Sequence, residues 1–244
     1  AGDTSVPVRS LALLLQQADG QQWRMAMNTP PVLAVATPQA FLEQVQAMRA
    51  DPATGKPDPA RMQAFFAAHP ESAAFRQWAQ QHKPTSSFAN STYNSINAFY
   101  LINAAGVRQA VRWALQPEAA VQPLLAGATG PALLQEELLD RLQQGPVRWQ
   151  LILTLAAAAD PLTDATQAWP ASRPQLHAGS LVVEQAVSQQ EGACRDINFD
   201  PLVLPAGIEP TADPILQARS AAYAESFKRR TAEGAPQPAR GVQL

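Results

Sequence analysis

One face of a predicted helix near the carboxyl end of this 244-residue chain carries residues that could bind a metal. Arg219, Tyr223, Phe227 and Arg230 follow one another at intervals of four, four and three residues, which places them on one stripe of an α-helix. A core-facing stripe normally carries aliphatic side chains, and two arginines there require anionic partners or water. The phenolate of Tyr223 could be one such partner.

Ionising a phenol at neutral pH needs a compensating interaction. A free phenol has a pKa near 10, so keeping it ionised costs about 4 kcal/mol. A bond to a metal ion, together with the guanidinium of Arg219, could offset that cost. The stripe therefore suggests a metal-bound tyrosinate. A second interpretation stays open, in which the stripe belongs to an amphipathic surface helix with solvated arginines.

The helix that must present this stripe has its own start and stop signals. Asp213 can accept hydrogen bonds from the first free backbone amides, and Pro214 suits the first helical position. Gly234 and Pro236 supply a stop. The sequence therefore predicts a helix of about five turns after Asp213.

Composition and charge narrow the class of protein. A hydrophobic content of 46% is enough to build a core, and the simplest expectation is a single domain over residues 1–244, with two domains as the alternative. The net charge of −2 comes without any lysine or arginine run, which argues against a nucleic-acid partner. No apolar run is long enough for a membrane span. Cys194 is the only cysteine, which excludes an intrachain disulfide framework.

The rest of the pattern predicts strands separated by helices. The predicted strands are 8–16, 23–27, 94–102, 107–115, 149–157 and 175–187. The predicted helices are 37–49, 59–68, 71–80, 131–144 and the helix after Asp213. Ala105-Gly106 is the expected turn of a hairpin. This order of elements indicates an α+β protein built on an antiparallel barrel.

Several pieces of the sequence resemble one known family. These pieces are His69-Pro70-Glu71-Ser72, Ile96-Asn97-Ala98-Phe99, Trp169-Pro170, Asn198-Phe199-Asp200-Pro201, Pro205-Ala206-Gly207-Ile208-Glu209, and Arg219 with Tyr223. They are similar, in this order, to the P-E-S, H-T-F, W-P, F-D-P, P-G-I-E and R-x-x-x-Y patterns of the haem catalase superfamily. The resemblance covers almost the whole chain and is strongest to the small bacterial catalase-related peroxidases.

The resemblance implies an α+β fold, a catalase-like antiparallel β-barrel with helical excursions. The family barrel has eight strands, so a count of six predicts that the N-terminal strands are lacking and lie before Ala1. In the family, the distal histidine and the first arginines for the haem propionates belong to that segment. We therefore assign no catalytic histidine, and we expect structural or solvent-exposed roles for all three: His69 would stabilise a helix start, His82 lies in a polar loop, and His177 begins a strand.

The resemblance also implies a set of site residues. Tyr223 would bind haem iron from the proximal side as tyrosinate, Arg219 would keep it ionised, and Arg230 would pair with a haem propionate. The other positions expected at the haem are Phe199, Ile215 and Ala222, which would pack on the porphyrin, Phe227, which replaces a family histidine, and Phe41, which would cover the distal side.

Asn28 is the one candidate catalytic residue. The family has an N-N-T-P run in which an asparagine helps to orient peroxide, and this chain has Met27-Asn28-Thr29-Pro30. Depending on a shift of one residue, Asn28 is either that asparagine or its neighbour, a turn-forming residue before Thr29-Pro30.

The function that the resemblance implies is that of a peroxidase with haem b as the cofactor. It would reduce hydrogen peroxide or organic hydroperoxides with a small organic reductant, as a monomer or homodimer in the bacterial periplasm or cytoplasm. Two alternatives stay open. One is a haem enzyme that rearranges a fatty-acid hydroperoxide, and the other is a non-catalytic barrel that binds haem or a lipid.

Overall fold

A computed structural model describes residues 3–4, 8–188 and 192–233 and shows an α+β chain, as expected. The strands are β1 (Ser10–Gln16), β2 (Gln22–Asn28), β3 (Tyr93–Asn94), β4 (Phe99–Ile102), β5 (Arg108–Pro117), β6 (Val147–Leu155), β7 (Gln175–Val183) and β8 (Ile208–Pro210). The helices are α1 (Pro38–Ala47), α2 (Pro59–Ala68), α3 (Ala73–Gln81), α4 (Leu133–Gln144) and α5 (Pro214–Glu233), with short 3-10 turns at Pro70–Ser72 and Ala193–Asp196.

All eight strands belong to one curled antiparallel sheet. β1 pairs with β2, β5 pairs with β6, and β6 pairs with β7. β3 and β4 both pair with the same side of β5. On their other sides, β3 pairs with β2 and β4 pairs with β8. In the part of the chain that the structure describes, β1 pairs only with β2 and β7 only with β6. β8 likewise pairs only with β4 there, so the sheet is a half-barrel with open edges at β1, β7 and β8.

The strand predicted at 94–102 is wrong in one respect, because it is interrupted. Residues 95–98 lie between the pairs Asn94↔Ala114 and Phe99↔Val111. These four residues are therefore opposite only two residues of β5, at positions 112 and 113. Such a bulge bends a strand and re-aims its side chains. Ile96 within it has φ 64°, a left-handed conformation that strains a β-branched residue.

The other predicted elements are confirmed, with shifted ends. The count of six strands was wrong because the bulge divides one strand into β3 and β4, and because β8 was missed. β8 has only three residues, too few to show the alternation by which strands are recognised in a sequence. The hairpin turn at Ala105-Gly106 is confirmed, and Gly106 has φ 77°, which glycine adopts without strain.

The core lies between the sheet and the first turn of α5. Trp113 of β5 stacks on Phe99 with 4.3 Å between ring centroids and meets Trp23 edge-on at 5.1 Å. Leu216 of α5 is fully buried in the same cluster. Aromatic pairs at such distances add about 0.5–1.5 kcal/mol beyond the burial of their area. Through Leu216, the sheet fixes the end of α5 from which the stripe of Arg219 and Tyr223 starts.

Asp213 fixes the start of α5 by hydrogen bonds. Its Oδ1 accepts from the backbone amides of Ile215 and Leu216, at 2.9 and 3.3 Å. Its Oδ2 accepts from Nδ2 of Asn97 in the bulge, at 2.8 Å. Because Asp213 is 1% exposed, these donors replace the water that its carboxylate loses. The predicted cap is confirmed, whereas the predicted stop at Gly234 and Pro236 lies outside the described residues.

Asp213→Ala should lower the free energy of unfolding by about 2–3 kcal/mol, because it removes a helix cap and leaves the buried amide of Asn97 without an acceptor. Asp58→Ala is the matched control. Asp58 caps α2 through the amide of Ala60 at 2.8 Å, but its side chain is 43% exposed, and its loss should cost about 1 kcal/mol. Urea unfolding followed by circular dichroism measures both. Equal losses would contradict a role for the buried link to Asn97.

Candidate functional site

A cavity of about 400 Å³ lies between the end of β2, α1, the bulge and α5. Its wall is formed by Asn28, Leu33, Pro38, Phe41, Ile96, Asn97, Ile215, Ala218, Arg219, Ala222 and Tyr223. Most of this wall is apolar, and the polar side chains come from Asn28, Asn97, Arg219 and Tyr223. A pocket with these proportions is typical of a site for a small molecule or a cofactor.

Arg219 and Tyr223 lie one helical turn apart on α5 and are in contact. Nη2 of Arg219 donates to the phenolic oxygen of Tyr223 at 3.1 Å and to the carbonyl oxygen of Ala26 in β2 at 2.8 Å. Nη1 donates to Oδ1 of Asn97 at 2.7 Å. A guanidinium group stabilises negative charge on an oxygen that it contacts. The arrangement therefore places a fixed positive charge beside the phenolic oxygen of Tyr223 at the wall of the cavity.

Asn97 joins this pair to the cap of α5, and sequence analysis missed it. The residue is fully buried, and its amide accepts from Arg219 while it donates to Asp213. Three hydrogen bonds thus run from the helix cap to the phenol of Tyr223. The signal in the sequence was an asparagine within the apolar run from Ile96 to Phe99. A buried amide side chain there must have hydrogen-bond partners, which indicates a structural or functional role.

Asn28 lines the cavity, while Met27 is buried in the core. Oδ1 of Asn28 accepts a hydrogen bond from Oγ of Ser10, the directly paired residue of β1, at 2.6 Å. This bond occupies the oxygen end of the amide and orients the nitrogen end as a donor. Ser10 is a second residue that sequence analysis missed, because its role depends on the pairing of β1 with β2.

Phe199 and Arg230 line a second cavity, of about 580 Å³. Nη2 of Arg230 donates to the carbonyl oxygen of Ile197 at 3.0 Å, and Cζ lies 5.6 Å from the ring centroid of Phe227. Nε of Arg230 is buried and has no hydrogen-bond partner among the described residues. A buried guanidinium nitrogen calls for an acceptor. The predicted stripe on α5 is thus shared between two cavities.

The histidines lie away from both cavities. His82 stacks on Trp78 with 4.5 Å between ring centroids, and His177 belongs to the edge strand β7. The side chain of His69 caps no backbone amide, but its imidazole lies 3.0 Å from a carboxylate oxygen of Glu71 in the 3-10 turn that begins there, which agrees with its expected role at a helix start. Within the described ranges, no cluster of three or more His, Cys, Asp or Glu could hold a metal ion. No described helix is long and apolar enough to cross a membrane.

Comparison with known proteins decides the family. The family model described as Catalase matches residues 1–237. The chain belongs to the catalase family. A catalase-related peroxidase of Synechococcus elongatus is 39% identical to it, over 95% of this chain and 69% of that protein. Another of Mycolicibacterium paratuberculosis is 31% identical, over 94% of this chain and 73% of that protein. The predicted small bacterial catalase-related branch is confirmed.

Solved structures confirm the catalase-like fold. A fungal catalase matches with a TM-score of 0.83 at 19% identity and covers 94% of this chain and 48% of its own. Catalase A from Saccharomyces cerevisiae matches with a TM-score of 0.82 at 17% identity and covers 91% of this chain and 49% of its own. This member of the catalase family therefore spans about half the length of these solved catalases.

A double-mutant cycle between Asn97→Ala and Arg219→Ala should give a coupling of about 1–3 kcal/mol in the free energy of unfolding, because the two side chains share a buried hydrogen bond. Asn90 is the matched control. It is 2% exposed and bonded to Ser86 and Ser87, away from Arg219. The cycle of Asn90→Ala with Arg219→Ala should be additive within about 0.5 kcal/mol. Urea titrations of the variants measure both couplings, and similar values would contradict the direct link.

Proposed function

We propose that this chain is a haem-dependent peroxidase that uses haem b, with Tyr223 as the proximal iron ligand in its tyrosinate form. The observation that carries the proposal is the hydrogen bond from Arg219 to Tyr223 at the wall of an apolar cavity. Proteins of the catalase family depend on haem, and two relatives are named catalase-related peroxidases. Both findings support the cofactor and the class of reaction.

The residues present fit a haem. A porphyrin needs apolar walls, its iron needs an anionic ligand, and its propionates need cations. Phe41, Ile215 and Ala222 belong to the wall that contains Tyr223. Arg230 has a buried Nε without an acceptor and would bind a propionate.

The other two aromatic residues expected at the haem, Phe199 and Phe227, lie close to Arg230. Phe199 lines the same cavity as Arg230, and the ring of Phe227 lies against its guanidinium. Phe199 would therefore pack on the porphyrin at its propionate side, and Phe227 would hold the guanidinium of Arg230 in place by cation–π contact. The two cavities would then be two parts of one haem site.

Arg219 would act by holding charge at a fixed atom. When bound, haem supplies the redox-active iron at which the O–O bond of a peroxide is cleaved. Arg219 is already bound by Ala26 and Asn97, so its positive charge needs no rearrangement to face the oxygen of Tyr223. This fixed charge would favour the phenolate as the ligand and keep its oxygen directed at the cavity.

Asn28 would act on the substrate. Because Ser10 holds the oxygen end of its amide, the nitrogen end can donate a hydrogen bond to a peroxide oxygen in the cavity. Reduction of hydrogen peroxide or of an organic hydroperoxide yields water, or an alcohol and water, and takes up two electrons and two protons. A small organic reductant would supply them. Phe41 would limit the access of water to this side.

The same apolar cavity with an oriented tyrosine also suits two other uses. Rearrangement of a fatty-acid hydroperoxide to an epoxide needs no external reductant, and storage or transport of haem or a lipid needs no turnover at all. Product analysis with an organic hydroperoxide separates the three uses. Alcohol with consumption of reductant indicates a peroxidase, epoxide indicates rearrangement, and bound haem without turnover indicates a binding protein.

Tyr223→Phe should abolish the tyrosinate-type charge-transfer bands of the haem-loaded chain, because phenylalanine offers no oxygen to iron. Arg219→Ala should weaken haem binding by about 10- to 100-fold, since it removes the group that orients the ligand. Absorption spectra during haem titration measure both effects.

Tyr100→Phe is the matched control for this experiment. The ring of Tyr100 lies under the guanidinium of Arg108, with 4.1 Å from Cζ to the ring centroid, but on the sheet and outside the cavity. Its spectrum should equal that of the unmodified chain. Unchanged bands in Tyr223→Phe would rule out the assigned ligand.

A further inference from the structure

Three titratable side chains meet where α1, α2 and the following 3-10 turn come together. Nε2 of His69 lies 3.0 Å from Oε2 of Glu43 on α1, and Nδ1 lies 3.0 Å from Oε1 of Glu71 in the turn. Phe65 of α2 places its ring 4.4 Å from the imidazole, centroid to centroid. The side chain of His69 is 15% exposed. The imidazole therefore crosslinks two helical elements from a largely enclosed position.

This geometry requires a charged imidazole. Carboxylates only accept hydrogen bonds, and a neutral imidazole has a single N–H, so it can donate to Glu43 or to Glu71 but not to both. The imidazolium form donates to both at once. Partial burial lowers the pKa of His69, but the hydrogen bonds and charges of Glu71 and Glu43 outweigh it, and the pKa lies above its ordinary value of 6.5.

We propose that Glu43, His69 and Glu71 form a pH-dependent clamp that holds α1 on the end of α2 and thereby controls the wall of the cavity that contains Tyr223. Glu43 lies two residues after Phe41, which belongs to that wall. α1 packs on both α2 and α5, so loosening its attachment to α2 frees the same helix that faces Tyr223. The clamp exists whatever the cavity holds; only its effect on turnover rests on the proposed function.

The pH range of the clamp follows from the two shifted groups. The pKa of His69 is raised in the folded chain, so its contribution is complete below the unfolded value of 6.5 and is lost as pH rises through the folded value. Hydrogen bonds from Gln39 and then His69 lower the pKa of Glu43, so its contribution is present above 4.5 and is lost as pH falls through the lowered value. The clamp is therefore closed in mildly acidic solution, where His69 is charged and Glu43 is ionised, and it opens as pH rises through the raised pKa of His69.

Amide hydrogen exchange of α1 in the purified full chain tests the clamp. After the times are scaled for the intrinsic base-catalysed rate, α1 should exchange about three- to tenfold more slowly near pH 6 than near pH 8.5. In His69→Gln, whose neutral amide cannot replace both charged donors, α1 should exchange at the faster scaled rate at both values. His82→Gln is the matched control. His82 stacks on Trp78 and forms no ion pair with a carboxylate among the residues that the structure describes, so this variant should keep the full pH dependence.

Equal scaled rates of α1 at both pH values in the unmodified chain overturn the proposal. So does a His69→Gln variant that retains the dependence. If His69→Gln does not fold, an NMR titration of the ring protons of His69 in the unmodified chain decides. A midpoint above about 6.5 supports the clamp, and a midpoint at or below it contradicts the clamp. Neither readout involves haem spectra or peroxide turnover, so failure of the clamp and failure of the proposed function are distinguishable.

Discussion

The position of Arg219 is the constraint on which the site depends. Its guanidinium binds the carbonyl of Ala26 in the sheet, the amide of Asn97 in the bulge and the phenol of Tyr223 on its own helix. All three bonds exist together only if β2, the bulge and α5 keep one relative position. Because a guanidinium in this partly buried place loses water on folding, each missing acceptor would be costly. The hydrogen bonds that dock α5 on the sheet are thus the ones that orient Tyr223.

The bulge at residues 95–98 contains a strained residue, and it also positions Asn97 between α5 and the sheet. Ile96 holds a left-handed conformation that costs on the order of 1–3 kcal/mol for a residue of its type. In return, Asn97 leaves the regular alternation of the strand and reaches both Asp213 and Arg219. These two buried hydrogen bonds, together with the core contact of Leu216, offset the strain. Removal of the bulge would leave the cap of α5 and the pair of Arg219 and Tyr223 without their common support.

Sequence reasoning recovered what local rules determine. Asp213 and Pro214 mark the start of α5 by their chemistry, and a period of 3.6 residues places Arg219 and Tyr223 on one face. The bulge that places Asn97 at the site has two more residues than the segment of β5 opposite it. This difference leaves no periodic signal in the sequence, because it appears only in the pairing with β5. The sequence also did not predict that Arg230 lies at a different cavity from Arg219 and Tyr223, since its contact with the backbone of Ile197 is set by tertiary packing. Motif resemblance supplied the family, which comparison confirmed.

The central claim is that an ionised tyrosine binds the iron of haem in this chain. Resonance Raman spectroscopy of the haem-loaded chain, prepared once with ordinary and once with ring-deuterated tyrosine, tests it directly. The chain has only three tyrosines, and only one bound to iron gains intensity from the ligand-to-metal transition. The account predicts enhanced phenolate vibrations that shift on deuteration. A spectrum that contains porphyrin bands alone, with no band sensitive to deuteration, would contradict it.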